Sequence, residues 1–148
     1  MDFYTELYFT VEELTTEEIE WMKTTLSIDD ATEIQHLLRE SNISAPDADI
    51  DEVDRWAFGF AFNDNFLEIE CGLSGFNIDA VAGFLQMFLN KFRPTDEVQF
   101  EWANTASKPT TDAYGGGACL VTANGYDYFY TGELFDMLRE RIKKNAKN

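Results

Sequence analysis

At 148 residues the chain is close to the commonest size for one domain, and 45% hydrophobic with 15% aromatic residues excludes the composition of a disordered segment. A net charge of -17 argues against direct nucleic-acid binding, whose affinity comes from Lys and Arg neutralising phosphate. No apolar run approaches the ~18 residues of a membrane span, and the opening MDFYTELYF is acidic where a secretory leader is basic. An unsecreted, cytoplasmic protein without a membrane partner is therefore expected.

In chain order, TELYFTVE alternates, with Leu7, Phe9 and Val11 on one side and Glu6, Tyr8 and Thr10 on the other, the period of a half-buried strand. Thr15 followed by Glu18 is a capping box ahead of Ile19, Met22 and Leu26 at helical spacing. Ser27 and Asp30 precede Ile34, Leu37 and Leu38, a second helix. NISAPDADIDEVD has no period and reads as an acidic loop.

RWAFGFAF and FLEIEC both alternate around Asn63-Asp64-Asn65, residues that tolerate left-handed backbone, so a hairpin is expected. Its first strand would stack Trp56, Phe58, Phe60 and Phe62 on one face, leaving Ala57, Gly59 and Ala61 opposite. Its second sets Leu67, Ile69 and Cys71 against Glu68 and Glu70. A third helix starts at the cap Asn77, carries Ile78, Val81, Leu85, Phe88 and Phe92 along one face, stops at Pro94 and should be the most buried.

EVQFEWAN alternates again, Val98, Phe100 and Trp102 opposing Gln99 and Glu101. ACLVTA and YDYFYT follow as strands joined at Asn124-Gly125 by an expected type I′ turn. The last helix should turn Leu134, Leu138 and Ile142 inward and place Arg139, Arg141, Lys143 and Lys144 near its C-terminus, where the helix dipole favours them.

The βαββαβ succession predicts an α+β, ferredoxin-like sandwich with an added β-hairpin and a C-terminal helix, in one domain 1–148 that carries 28–54 as a helical and acidic-loop insertion. Helices would cover one sheet face, and alternation assigns Glu6, Tyr8, Glu68, Glu70, Gln99 and Glu101 to the other. The charge is lopsided. Met1–Asp54 holds sixteen acids and two bases, Arg55–Phe100 six and three, and Glu101–Asn148 six of each.

Against that background most chemistries fail. RNA-binding proteins of this architecture stack bases on open-face aromatics beside basic groups, whereas four glutamates would repel phosphate. One histidine, His36, and two distant cysteines, Cys71 and Cys119, do not make a zinc site, and the cysteines read as reduced core residues. Asp47, Asp49, Asp51, Glu52 and Asp54 could offer oxygens to calcium, but the run lacks the glycine and distal glutamate of an EF-hand loop. Gly115-Gly116-Gly117 enters a strand with no Gly-Lys following, the wrong order for a phosphate loop; glycines there suit a bulge or close backbone approach. No cofactor or metal is expected.

The segment FEWANTASKPTTDAYGGGACLVTA, through Trp102, Asn104, Lys108, Pro109 and Gly115–Ala118, resembles a strand, Lys-Pro loop and Gly-Gly-Gly-Ala entry of small ferredoxin-like proteins carried by phages and plasmids. The resemblance implies a mobile-element origin and assigns no reaction.

The leading expectation is a non-enzymatic acidic protein that binds a basic protein surface, such as that of a host CRISPR or restriction complex, by mimicking nucleic acid. Its contact residues would be Glu6, Tyr8, Glu68, Glu70 and Glu101 on the sheet, the acidic run Asp47 to Asp54, and Lys108, Asp112 and Tyr114. One alternative is a small-ligand binder or enzyme using the 105–119 loop, which is long enough to be functional. Another is an assembly protein that oligomerises through the open sheet face.

Overall fold

Period-two alternation in six segments builds one antiparallel sheet. The computed structural model describes residues 3–40, 50–71, 77–106 and 115–146. Among them the strands are β1 (Phe3–Val11), β2 (Gly59–Asn63), β3 (Phe66–Cys71), β4 (Glu97–Ala106), β5 (Gly115–Thr122) and β6 (Gly125–Tyr130), in the spatial order β2-β3-β1-β4-β5-β6. The helices are α1 (Thr16–Leu26), α2 (Ala31–Glu40), α3 (Ile78–Phe92) and α4 (Thr131–Ala146). The chain is thus a mixed α+β protein. No helix among the described residues is long and apolar enough to cross a membrane.

Helix starts follow the local code. The Thr15 hydroxyl accepts the Glu18 N–H at 3.1 Å while the Glu18 carboxylate accepts the Thr15 N–H at 2.8 Å, closing the capping box. Asp30 accepts the Glu33 N–H at 3.1 Å to open α2, and Asn77 accepts the Ala80 N–H at 3.2 Å to open α3. Every residue of α3 from Ile78 to Leu89 is buried, because sheet and helices enclose it on both sides. Its Phe84 meets Trp21, Trp56 and Phe58, while Leu7, Val11, Leu67, Ile69, Phe100, Trp102, Cys119 and Val121 supply the sheet's half of the core.

Four local expectations are corrected. Ala57 takes φ 58°, which ends the alternation, so β2 begins only at Gly59. Trp56 is therefore not part of a strand stripe; it is buried beside α1, and its indole N–H donates to the Thr25 carbonyl at 3.2 Å. Within the acidic run, Ile50–Glu52 form a short 3-10 turn, whose Asp51 pairs with Arg39 of α2. Between β5 and β6 the pair Thr122–Gly125 encloses Ala123 and Asn124, neither at positive φ, so the turn is not type I′. The Thr122 hydroxyl holds it instead, accepting the Asn124 N–H at 3.2 Å and donating to the Gly125 carbonyl at 3.1 Å.

The fourth correction concerns α4. Its Leu134, Leu138 and Ile142 do not point inward: all three are exposed, as are Phe135 and Met137. Its first turn is tied to the sheet: the Thr131 hydroxyl donates to the Gly116 carbonyl at 3.0 Å and Glu133 accepts the Tyr130 N–H at 2.7 Å.

The glycine triplet is sheet architecture. Gly116 lies at φ 156°, where a side chain would run into the Trp102 carbonyl, and a side chain on Gly117 would run into the Trp102 indole and the Phe129 carbonyl. Gly117→Ala should cost about 2 kcal/mol or more, as overpacking of a close-packed site does. Gly132→Ala, with open space around it, should stay within about 0.5 kcal/mol of the parent. Urea denaturation followed by tryptophan fluorescence checks both; equal effects would show that the close approach to Trp102 does not matter.

Candidate functional site

Three layers of constraint place the open sheet face. Alternation sends Leu7, Leu67, Ile69, Phe100, Trp102, Cys119 and Val121 toward the helices, so the intervening side chains must stand on the opposite side. Strand order then brings them together: Tyr8 pairs with Glu70, Thr10 with Glu68, Glu101 with Ala118, and Leu120 with Asp127. Across from Glu70 and Glu68 stand Gly59 and Ala61 of β2, whose small size leaves both carboxylates uncovered on that flank. Glu6, Tyr8, Glu68, Glu70, Gln99 and Glu101 all share this face, as the alternation predicts. None of the six strands contains Lys or Arg, so no strand residue neutralises the carboxylates.

β1 changes partners midway, and that change shapes the face. Its first half runs with β4 as far as Glu6–Ala103, and its second half runs with β3 from Leu7–Cys71 to Val11–Leu67. Past the end of the β1–β4 ladder a groove of about 690 Å³ lies over Tyr8, Gln99, Glu101, Ala118, Leu120, Asp127 and Phe129. On the core side, Phe9 and Phe100 stack across the same gap with centroids 5.0 Å apart and planes within 5°, which holds the two strands side by side without a hydrogen-bonded ladder. Glu101 and Asp127 flank this partly apolar groove.

Asp127, Ala118, Leu120 and Phe129 were not among the residues expected on the face. The signal existed: YDYFYT alternates with Tyr126, Tyr128 and Tyr130 on one side and Asp127 and Phe129 on the other. It becomes decisive only once the β5–β6 register is set.

The groove does not hold a ready nucleophile. Cys119 lies beneath it, and burial first, then the nearby carboxylates of Asp79 and Asp127, push its thiol up to about 12, so it stays protonated at neutral pH. His36 is far out on α2, exposed and 3.1 Å from Glu40. The Tyr8 hydroxyl is raised from its ordinary value, first by desolvation, then by Glu68, which also hydrogen-bonds it, and by Glu70. Cys71 and Cys119 sit on strands separated by β1 and β4, three strand spacings or about 14 Å, beyond the reach of a disulfide.

A second, smaller cavity of about 270 Å³ opens beside the start of α3, lined by Thr5, Asn77, Asp79, Trp102, Asn104, Tyr128 and Tyr130. Its Asp79 accepts from the buried Tyr126 hydroxyl at 2.7 Å, and burial first, then Asp79, raise that hydroxyl well above its ordinary value. Asp79 stands in the first turn of α3, where the helix dipole stabilises a carboxylate. This pair ties α3 to β6.

The other expected contact residues separate from the sheet face. Asp51, Glu52 and Asp54 lie on the segment that packs against α2, where Gln35 donates to the Val53 carbonyl at 3.1 Å, and α2 lies on the covered side. Asp47, Asp49, Lys108, Asp112 and Tyr114 are outside the described residues. Among the described residues no group of three or more His, Cys, Asp or Glu is arranged to hold a metal ion. Compared with protein-family models, curated proteins and solved structures, the chain finds no match.

Proposed function

We propose that this chain is a non-enzymatic interaction protein whose open sheet face binds a basic protein surface of the kind that otherwise holds nucleic acid. An inhibitor of a CRISPR or restriction complex, acting by charge mimicry, is the form of that function we favour. One observation carries the reading: Glu6, Glu68, Glu70, Glu101 and Asp127 stand on one side of a sheet whose strands contain no basic residue, where Glu101 and Asp127 line a partly apolar groove. Carboxylates two residues apart on a strand are roughly 7 Å apart and adjacent strands about 4.8 Å, so the array is dense and rigidly spaced. Such a field steers basic partners and repels phosphate. The reading of β1 to β4 with their helices as a ferredoxin-like core belongs to this proposal, supported by the βαββαβ succession along the chain.

The test is capture from bacterial lysate on immobilised full-length chain at low and moderate salt, with release by duplex DNA. Nucleic-acid-binding proteins should be retained and then displaced by the DNA. Recovery of no such protein at low salt overturns the proposal.

A second reading, small-ligand binding, is favoured by the groove's volume, which lies within the roughly 300–1,000 Å³ usual for ligand sites. A ligand there would contact Tyr8, Leu120 and Phe129, and its binding would survive moderate salt, which weakens a charge-steered protein contact.

A further inference from the structure

We infer that in solution the open sheet face is covered by α4 of a second copy of this chain, each copy laying its helix across the other's sheet. The inference rests on reading that face as a partner-binding surface, and it names a partner.

Two apolar surfaces on this molecule lack cover. On α4, Leu134, Phe135, Leu138 and Ile142 are 44% to 67% exposed; 134, 138 and 142 recur at the helical period, with Phe135 beside them, forming one stripe. On the sheet, Tyr8, Leu120 and Phe129 are 43% to 61% exposed around the groove. Apolar area of this extent on one soluble surface marks an interaction site.

Charge decides which surface meets which. The last two turns of α4 carry Arg139, Arg141, Lys143 and Lys144 against one acid, Glu140, in a chain whose net charge is -17; Arg139 pairs at the surface with Asp136 at 2.7 Å and Lys143 with Glu140 at 3.5 Å, which leaves this end of the helix net basic. The sheet face carries the opposite sign, with no basic strand residue to neutralise it. Pairing two α4 stripes with each other would bury the first surface and leave the second uncovered, its carboxylates still facing one another. Laying α4 on the sheet covers both and matches the signs.

Length fits as well. Sixteen helical residues span about 24 Å, and the five spacings of a six-stranded sheet at about 4.8 Å each cover the same distance. The chain's own face is out of reach, because α4 begins at Thr131 directly after Tyr130 of β6 and no connecting residues exist to reverse its course. Exchange between two copies needs no reversal, and a two-fold axis makes both crossings equivalent.

Light scattering on the eluting full-length chain, at tens of micromolar and low salt, should give twice the 17.0 kDa of one chain. Leu138→Glu/Ile142→Glu should elute as a folded monomer, its far-UV spectrum unchanged because both side chains are exposed in the single copy, and its urea midpoint that of the parent diluted until it dissociates. The sheet variant Glu68→Lys/Glu70→Lys/Glu101→Lys should weaken self-association at least tenfold. Mixing it with Arg139→Glu/Arg141→Glu/Lys143→Glu/Lys144→Glu should restore a heterodimer through the interface where both signs are inverted. A photo-crosslinker at position 142 should link to β3, β1 or β4 of the other copy, the strands that carry Glu70, Tyr8 and Glu101. A monomeric parent, a dimer indifferent to the sheet variant, or a 142-to-142 link would each overturn the inference. Failure to capture a basic partner from lysate leaves these outcomes unaffected, so the two readings fail separately.

Discussion

Arg93→Met should lower the unfolding free energy by about 3 kcal/mol at neutral pH, the low end of what breaking a buried ion pair costs. Arg93 sits at the C-cap of α3 and donates to Glu18 at 2.9 and 3.2 Å, and to the Glu12 and Glu13 carbonyls at 3.2 and 2.8 Å. Glu18 is buried and belongs to the α1 capping box, so one guanidinium links the end of one helix to the start of another and to the end of β1. Methionine keeps an apolar stem of similar length and removes the donors together with the guanidinium's contact with the Phe88 ring, 5.2 Å from its centroid.

The effect has a pH signature. Burial pushes the Glu18 carboxyl up, but the hydrogen bond from Arg93, the Thr15 N–H and the Arg93 charge together outweigh it and hold the pKa below the ordinary value. A lowered folded pKa contributes stability that is complete above the unfolded value of about 4.3 and is lost as pH falls through the folded one. Without Arg93, its hydrogen bond and its charge no longer hold the Glu18 carboxyl down, so the group contributes less stability at neutral pH in the variant than in the parent. The gap between parent and variant should therefore be widest near neutrality and close as Glu18 protonates in both. Urea midpoints from pH 7 down to pH 3 measure it. A gap that stays constant, or that is under about 1 kcal/mol at pH 7, would show that the pair is not coupled to folding.

Reversing three sheet charges, Glu68→Lys/Glu70→Lys/Glu101→Lys, should cost at least a hundredfold in affinity for a basic partner. Like charges brought together at an interface cost several kcal/mol, and a factor of one hundred corresponds to about 2.7 kcal/mol. Net charge alone does not explain such a loss if Glu17→Lys/Glu20→Lys/Glu33→Lys, with the same change in charge on exposed positions of α1 and α2, keeps its affinity within a few fold. The sheet variant should fold as well as the parent, because reducing an excess of -17 relieves self-repulsion and none of the three side chains lies in the core. Titration of each variant into the captured partner at two salt concentrations separates the cases. Equal losses in the two triple variants would reduce the sheet face to a share of diffuse charge.

Much of this arrangement can be read without coordinates. Thr15 with Glu18, Asp30, and Asn77 mark helix starts because a cap involves only the next three residues. The face shared by Glu6, Tyr8, Glu68, Glu70, Gln99 and Glu101 follows from period two alone, given that the apolar partners must go inside. Asp64, at φ 49°, occupies the left-handed region that its residue type tolerates at the β2–β3 turn.

Other features escaped because nothing local encodes them. Trp56 continues a perfect alternation, yet the pull of the helix side of the core turns the chain at Ala57 and buries the indole by α1 instead. Asn124-Gly125 has the composition of a type I′ turn, but the Thr122 hydroxyl offers a competing set of hydrogen bonds one residue earlier. The groove depends on β1 exchanging β4 for β3, a consequence of pairing between segments up to 103 residues apart, Phe3 with Ala106.

By itself, then, the sequence determined which segments are strands and helices and which sheet side is acidic, since these follow from period and capping, whereas the absence of a basic residue from the six strands depends on β2 starting at Gly59, past Arg55. Tertiary structure alone decided where the sheet splits and that Asp127 and Phe129 join Tyr8 and Glu101. It also decided that the apolar stripe of α4 stays in water. A periodic pattern shows that a helix has a face to bury; only the positions of the other elements show whether its own chain supplies the surface to bury it against.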